Sequence, residues 1–175
     1  MSGYGDMPFG LCQLKLIGVT NAGTVTLPVG QKLKFKERVA SAELKGDDVI
    51  KAVASMSEGA EWEIEAGGLS LEAYALMTGR TVTASGTTPA GTVSLKAGTG
   101  FHAFPYFKVY GKVLGVGLDD VHCKLHKCKL TSGVEGSFEN GKFFATAIKG
   151  VAVDDGTNGA FEFVQNETAT VLPTS

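Results

Sequence analysis

Residues 44–79, LKGDDVIKAVASMSEGAEWEIEAGGLSLEAYALMTG, constrain this chain more than any other stretch, because they encode a β-hairpin and one short helix and carry no chemical motif. The second arm of the hairpin reads Ala60-Glu61-Trp62-Glu63-Ile64-Glu65-Ala66. Strict alternation places Trp62 and Ile64 on one face and Glu61, Glu63 and Glu65 on the other, which describes a half-buried strand with an acidic outer surface. Upstream, Lys32-Leu33-Lys34-Phe35-Lys36 has the same period and the opposite charge, with Leu33 and Phe35 inward and three lysines outward. Complementary charged strands are surfaces suited to meet, so function is sought in shape and assembly.

The rest of the stretch supplies a helix over 71–78. Ser70 is placed to cap it, Glu72 favours its first turn, Ala73, Leu76 and Met77 form an apolar face, and Gly79 ends it. Residues 47–56 are ambiguous, since Asp48 could cap a short helix, but alternation of Ile50, Ala52, Ala54 and Met56 favours a strand. Elsewhere the expected strands lie at 11–19, 24–27, 32–44, 50–56, 60–66, 80–84, 92–96, 102–116, 121–130, 133–139, 142–153 and 160–165. Asn140-Gly141 is the strongest turn signal, because a type I′ turn needs positive φ at both central residues. The strands on either side of it are expected to be adjacent and antiparallel.

At 175 residues the chain has the usual size of one domain, 1–175. An apolar fraction of 43% excludes a disordered chain, and 24 glycines with five prolines imply short elements joined by turns. A formal charge of -2 and a pI near 5.9 argue against a protein that grips nucleic acid. The opening MSGYGDMPFG lacks the features of a signal peptide, and no run approaches the roughly 20 apolar residues that cross a bilayer. The expectation is a chain folded in the cytoplasm without membrane insertion. Three cysteines, Cys12, Cys123 and Cys128, make a poor disulfide framework and are expected to be buried thiols.

Several groups invite a chemical reading. His122, Cys123, His126 and Cys128 are residue types that bind zinc, but on an extended strand the two histidines stand roughly 13 Å apart, too far to share an ion held at about 2 Å. Cys123 and Cys128 face opposite ways on the same strand, so no disulfide is expected. Gly98-Thr99-Gly100 and Gly115-Val116-Gly117 read as turns, since neither opens a helix. The aromatic run Phe101, Phe104, Tyr106, Phe107 and Tyr110 is expected in the core or at a subunit contact rather than as a stacking platform. No nucleophile motif accompanies any histidine, so no catalytic, cofactor-binding or metal-binding residue is expected.

The succession AELKGDD, EWEIEAGGLSLEAYALMTG, DDVHCKLHKCKLTSG and FENGKFFATAIKGVAV resembles, over most of the chain, the major tail (tail tube) proteins of long-tailed, siphovirus-type bacteriophages. The resemblance implies a mainly β fold, an antiparallel β-sandwich or partial barrel with one flanking short helix, whose sheets join between subunits. It further implies six-membered rings that stack into a virion tail tube, assembled in the host cytoplasm and serving as the conduit for genome delivery. Tape-measure and tail terminator or tip proteins would be partners, and DNA would pass without specific binding. Under this resemblance Glu61, Glu63 and Glu65 are the candidate lumen lining, where a negative wall would repel phosphates. Lys32, Lys34 and Lys36 are the candidate inner-barrel or subunit contact. Residues 1–10, 46–59 and 166–175 are the candidate ring-to-ring arms, the first and last expected to be flexible or inter-ring. The competing classes are an all-β virion decoration or carbohydrate-binding module using Phe104, Tyr106 and Tyr110, and a secretion-system tube protein of the same fold.

Overall fold

The computed structural model describes residues 9–19, 23–46, 49–68, 70–100, 103–115, 119–142 and 144–174. Eleven strands and one helix follow in the order β1 (Phe9–Gly18), β2 (Thr24–Leu27), β3 (Gly30–Gly46), β4 (Val49–Gly67), α1 (Leu71–Thr78), β5 (Val82–Ser85), β6 (Thr92–Leu95), β7 (Phe107–Leu114), β8 (Asp120–Leu130), β9 (Glu135–Ser137), β10 (Ala145–Ala152) and β11 (Phe161–Asn166). All pairings are antiparallel, and the main path runs β2-β1-β7-β8-β10-β4-β3.

Strand β8 is where this path folds into two layers. Its first half pairs with β11, from Asp120 to Leu125, while Cys128 to Leu130 pair with β10 on the same edge. One layer is therefore β2-β1-β7-β8-β11 and the other β10-β4-β3, with β9 beside the start of β10. The layers face each other through side chains. Trp62 of β4 meets Phe107 of β7 edge-on at 5.6 Å, and Phe35 of β3 lies 6.2 and 5.0 Å from Phe161 and Phe163 of β11. Leu14, Leu16, Val109, Leu125 and Cys128 from the first layer and Ala60, Ile64 and Ile148 from the second complete the core. At about 25 cal/mol per Å² of apolar area, this burial is the main term holding the sandwich. Gly150 makes it possible at one point, since a Cβ there would stand 2.4 Å from the Trp62 ring and 2.2 Å from the Lys129 carbonyl.

The helix forms where expected. Ser70 Oγ accepts from the Ala73 amide, Gly79 adopts φ 69° and donates its N–H to the Ala75 carbonyl, and Ala73 and Met77 are buried against the end of the sandwich. Strands β5 and β6 form a separate, largely exposed hairpin beside it.

Four expectations are corrected. Residues 50–56 and 60–66 are not two strands but parts of one 19-residue strand, β4, whose hairpin partner is β3. The break signalled by Ser57-Glu58-Gly59 is a bulge: Arg38 faces Gly59 and Val39 faces Ser57, so Glu58 is the extra residue. Gly59 is required there, with φ 117° and a hypothetical Cβ only 2.4 Å from the Ala152 carbonyl. The strands expected to run up to 139 and from 142 stop at Ser137 and start at Ala145, with Phe138 stacked on Phe144 at 4.4 Å. Asn140-Gly141 does centre a turn between them, with Gly141 at φ 78° and the Lys142 N–H donating to the Glu139 carbonyl at 3.3 Å, and β9 and β10 are adjacent and antiparallel as expected. Residue 143 lies outside the described residues. The strand expected over 102–116 is β7 alone, and residues 102 and 116 also lie outside the described residues. Cys12 is exposed rather than buried, whereas Cys128 is buried and Cys123 half-buried.

Candidate assembly surfaces

The register of β10, β4 and β3 sets the neighbours of the glutamate row. Glu65 faces Lys32, Glu63 faces Lys34 and Glu61 faces Lys36, and Lys149 of β10 faces Glu63 from the other side. Directly opposed residues share a face of the sheet. The candidate lining and the candidate contact lysines are thus adjacent columns of one outer face, and the two charged strands meet each other within the chain. The glutamate column has an acidic surface as a strand, but the sheet face is mixed in charge. Lys32 carries most of the pairing, hydrogen-bonded to Glu65 and 3.9 Å from Glu63. Its hydrogen bond with Glu65 raises the Lys32 pKa and lowers that of Glu65. Arg38 stands 3.8 Å from both Glu58 and Glu61.

Beyond the bulge the same hairpin reverses its polarity. Strand β3 keeps its alternation from Lys32 onward, so Ala40, Ala42 and Leu44 fall on the side that carries Lys32, Lys34 and Lys36. Their register partners are Met56, Ala54 and Ala52. This face of the outer ribbon is wholly apolar. Val39, Ser41 and Glu43, opposite Ser57, Ser55 and Val53, make the other face. Among the described residues nothing else covers either side: Leu44 and Met56 are each 66% exposed and Val53 63%. Among the described residues both ribbon edges are also unpaired, since β10 ends opposite Ala60 and β3 is the last strand of the sheet path. At about 3.3 Å per residue the eight residues of β3 beyond the bulge extend roughly 26 Å.

A second outlying segment is fixed to the body. After β11, residues 166–174 run back across the outer side of β8, β7 and β1. The Asp120 carboxylate, fully buried, accepts from the Asn166 amide and the Thr170 N–H, each at 2.6 Å, from Lys112 Nζ at 2.9 Å, and lies 3.1 Å from His122 Nε2. Burial alone would raise the Asp120 pKa, but the hydrogen bonds from Asn166, Lys112 and Thr170 outweigh it and hold the carboxyl well below its ordinary range. Leu172 is 1% exposed and packs with Ile17 and Tyr110. Lys15, itself buried, donates to the carbonyls of Leu172 and Pro173 at 2.9 and 3.2 Å.

The remaining sequence candidates are placed by this arrangement. His122 belongs to the Asp120 cluster, and His126 lies against Tyr110 with its pKa lowered by burial. Cys128 is in the core, and burial raises the Cys123 pKa to about 11. No group of three or more potential metal ligands occurs among the described residues. The aromatic run does not form one exposed surface: Phe107 and Tyr110 are buried, Phe104 packs against the core, and Tyr106 sits under Lys127 and Lys129. Phe101 and the segment 116–118, which includes Val116 and Gly117, lie outside the described residues, as do residues 1–8 of the candidate N-terminal arm. Sequence reasoning missed Asp120, Lys15 and Leu172. The only local signal was an acid beside His122 in DDVHC and an isolated Val171-Leu172 in a polar tail.

A scan against protein-family models and a search of curated proteins both return no match. No described helix is long and apolar enough to cross a membrane.

Proposed function

We propose that this chain is a structural, self-assembling protein of the tail-tube kind, forming six-membered rings that stack into the conduit of a long-tailed bacteriophage. The observation that carries this reading is the outer ribbon of β3 and β4. An isolated two-stranded ribbon is marginal in water, and open strand edges pair readily with other chains. This one also turns its apolar side away from its own core, because the bulge at Glu58 reverses the hairpin's polarity. Another copy of the chain supplies the missing cover, and head-to-tail pairing of one strand edge with a different edge closes into rings when the rotation is right.

In such a tube the charged outer face of β10, β4 and β3, with Glu61, Glu63 and Glu65 flanked by lysines, is the candidate lumen wall. Tape-measure and terminator or tip proteins would act at the tube's length and ends. The virion is the expected location, and no catalytic step is assigned.

Negative-stain microscopy of the purified protein tests the proposal. Rings or tubes are expected, and they are expected to disappear when Leu44 and Met56 are both changed to serine while the far-UV circular dichroism stays unchanged. Solitary particles across a range of protein concentration and salt would overturn it. Discrete particles that bind glycans would instead favour the carbohydrate-binding class.

A further inference from the structure

Register extends the charged face beyond the three strands already described. Lys129 of β8 faces Val151 of β10, Val151 faces Glu61, and Glu61 faces Lys36, so one row crosses four strands on one side of the sheet. Lys127 lies two residues from Lys129 and shares its side. Of the carboxylates on this face, Glu63 and Glu65 are matched by Lys32 and Glu61 by Arg38, while Glu135, in the row of Glu65 through Ala147, has no ion pair among the described residues. Among the described residues no carboxylate stands within 4.0 Å of Lys34, Lys36, Lys127, Lys129 or Lys149. The Nζ atoms of Lys127 and Lys129 lie 5.2 and 5.1 Å from the centroid of the half-buried Tyr106 ring. A chain whose net charge is -2 therefore carries on this one continuous face more cations than carboxylates.

We propose that this face binds the phosphodiester backbone of nucleic acid, through Lys34, Lys36, Lys149, Lys127 and Lys129, without reading sequence. Lysines two residues apart on a strand are separated by about 6.6 Å, a pitch comparable to that of successive phosphates along one strand. Each unmatched ammonium that meets a phosphate releases a condensed counterion. Tyr106, whose ring lies under the Lys127 and Lys129 ammonium groups, sets an aromatic surface beside these cations on which a base can stack when the ammonium groups turn to phosphate. The sequence argument from net charge misses this surface because it sums the whole chain, whereas the cations of this face outnumber the glutamates beside them. The inference stands on the face of a single copy and does not require assembly.

Fluorescence anisotropy with a labelled duplex and a labelled single strand tests it, with microscopy of the same preparations recording assembly separately. Weak, saturable binding is expected in low salt, and log K should fall linearly with log salt by about 0.9 per duplex phosphate neutralised. Replacing Lys34, Lys129 and Lys149 together by glutamate should weaken binding by about tenfold or more. Replacing the ribbon lysines Lys45 and Lys51 by glutamate should leave it unchanged. The corresponding Lys→Gln triple variant, expected to show an intermediate loss, separates charge from disrupted folding. Absence of binding at low salt, or equal loss in the ribbon variant, would overturn the proposal. Tighter binding of poly-glutamate than of either nucleic acid would assign the face to an acidic protein and also overturn it. Tubes that form normally from a variant deficient in DNA binding would leave the assembly reading intact.

Discussion

Two segments lie outside the sandwich core, and they behave in opposite ways. Residues 166–174 are mostly polar, yet they are anchored by Asp120, Lys15 and Leu172. Residues 39–46 and 49–57, far richer in apolar side chains, have among the described residues no anchor beyond their own ladder. Composition would have assigned them the other way round. What decides is whether the body offers partners for the backbone: a buried carboxylate and ammonium lie in the path of the C-terminal segment, whereas the ribbon leaves the body with both edges bare. Residues 166–174 of the candidate 166–175 arm therefore lie as a strap across part of their own sheet.

The largest way to break the contrast is to free the strap. Asp120→Ala leaves the half-buried Lys112 without its carboxylate and removes the acceptor of Asn166 and Thr170. A loss of about 3–5 kcal/mol is expected, measured by urea unfolding, with early protease cleavage after residue 166. Leu172→Ala removes the apolar plug while keeping the polar clasp. A smaller loss, about 2–3 kcal/mol, is expected in the same measurement.

Acid should weaken the strap without touching the ribbon. The folded-state pKa of Asp120 is depressed, so its contribution is complete above the ordinary value of 3.8 and is lost as pH falls below it. The His126 pKa is also lowered, by burial, so protonation opposes folding from the ordinary 6.5 downward. Both terms make stability fall with falling pH, first mildly and then steeply near pH 4. Urea midpoints measured against pH check this, and Asp120→Asn should reduce the steep limb, leaving the part contributed by Asp155, which hydrogen bonds from Asn158 and Thr157 also hold low.

The smallest effect on the monomer is expected in the ribbon. Leu44→Ser with Met56→Ser changes two exposed side chains and should shift monomer stability by about 0.5 kcal/mol or less per site. If both substitutions instead destabilise the monomer as much as Leu172→Ala, the ribbon is covered within its own chain and the contrast fails.

Much of the fold was legible because local chemistry and tertiary packing agree. The helix at Leu71–Thr78 is bracketed by Ser70 and Gly79, and both perform the capping their side-chain chemistry allows. The alternation around Trp62 and Lys34 identifies two strands and their faces. It does not identify which strands are neighbours, so the glutamate row reads as an acidic wall until the register sets it between lysines. The Ser57-Glu58-Gly59 signal resembles a turn because a bulge uses the same glycine chemistry. The polarity reversal is written at positions 38, 40, 42 and 44, Arg, Ala, Ala and Leu, but its meaning depends on knowing where the body ends. The Asp120 clasp joins residues from three strands and the tail, and no short-range pattern encodes that meeting.

Trp62, the sole tryptophan of the chain, sits where both layers meet, packed on Phe107 and beside the backbone of Gly150. Its emission therefore serves as an intrinsic optical gauge of the sandwich interior. Because the ribbon lies beyond the bulge, a mutation there that abolishes the proposed polymerisation is expected to leave the indole spectrum native, so lost association and lost folding separate in one cuvette.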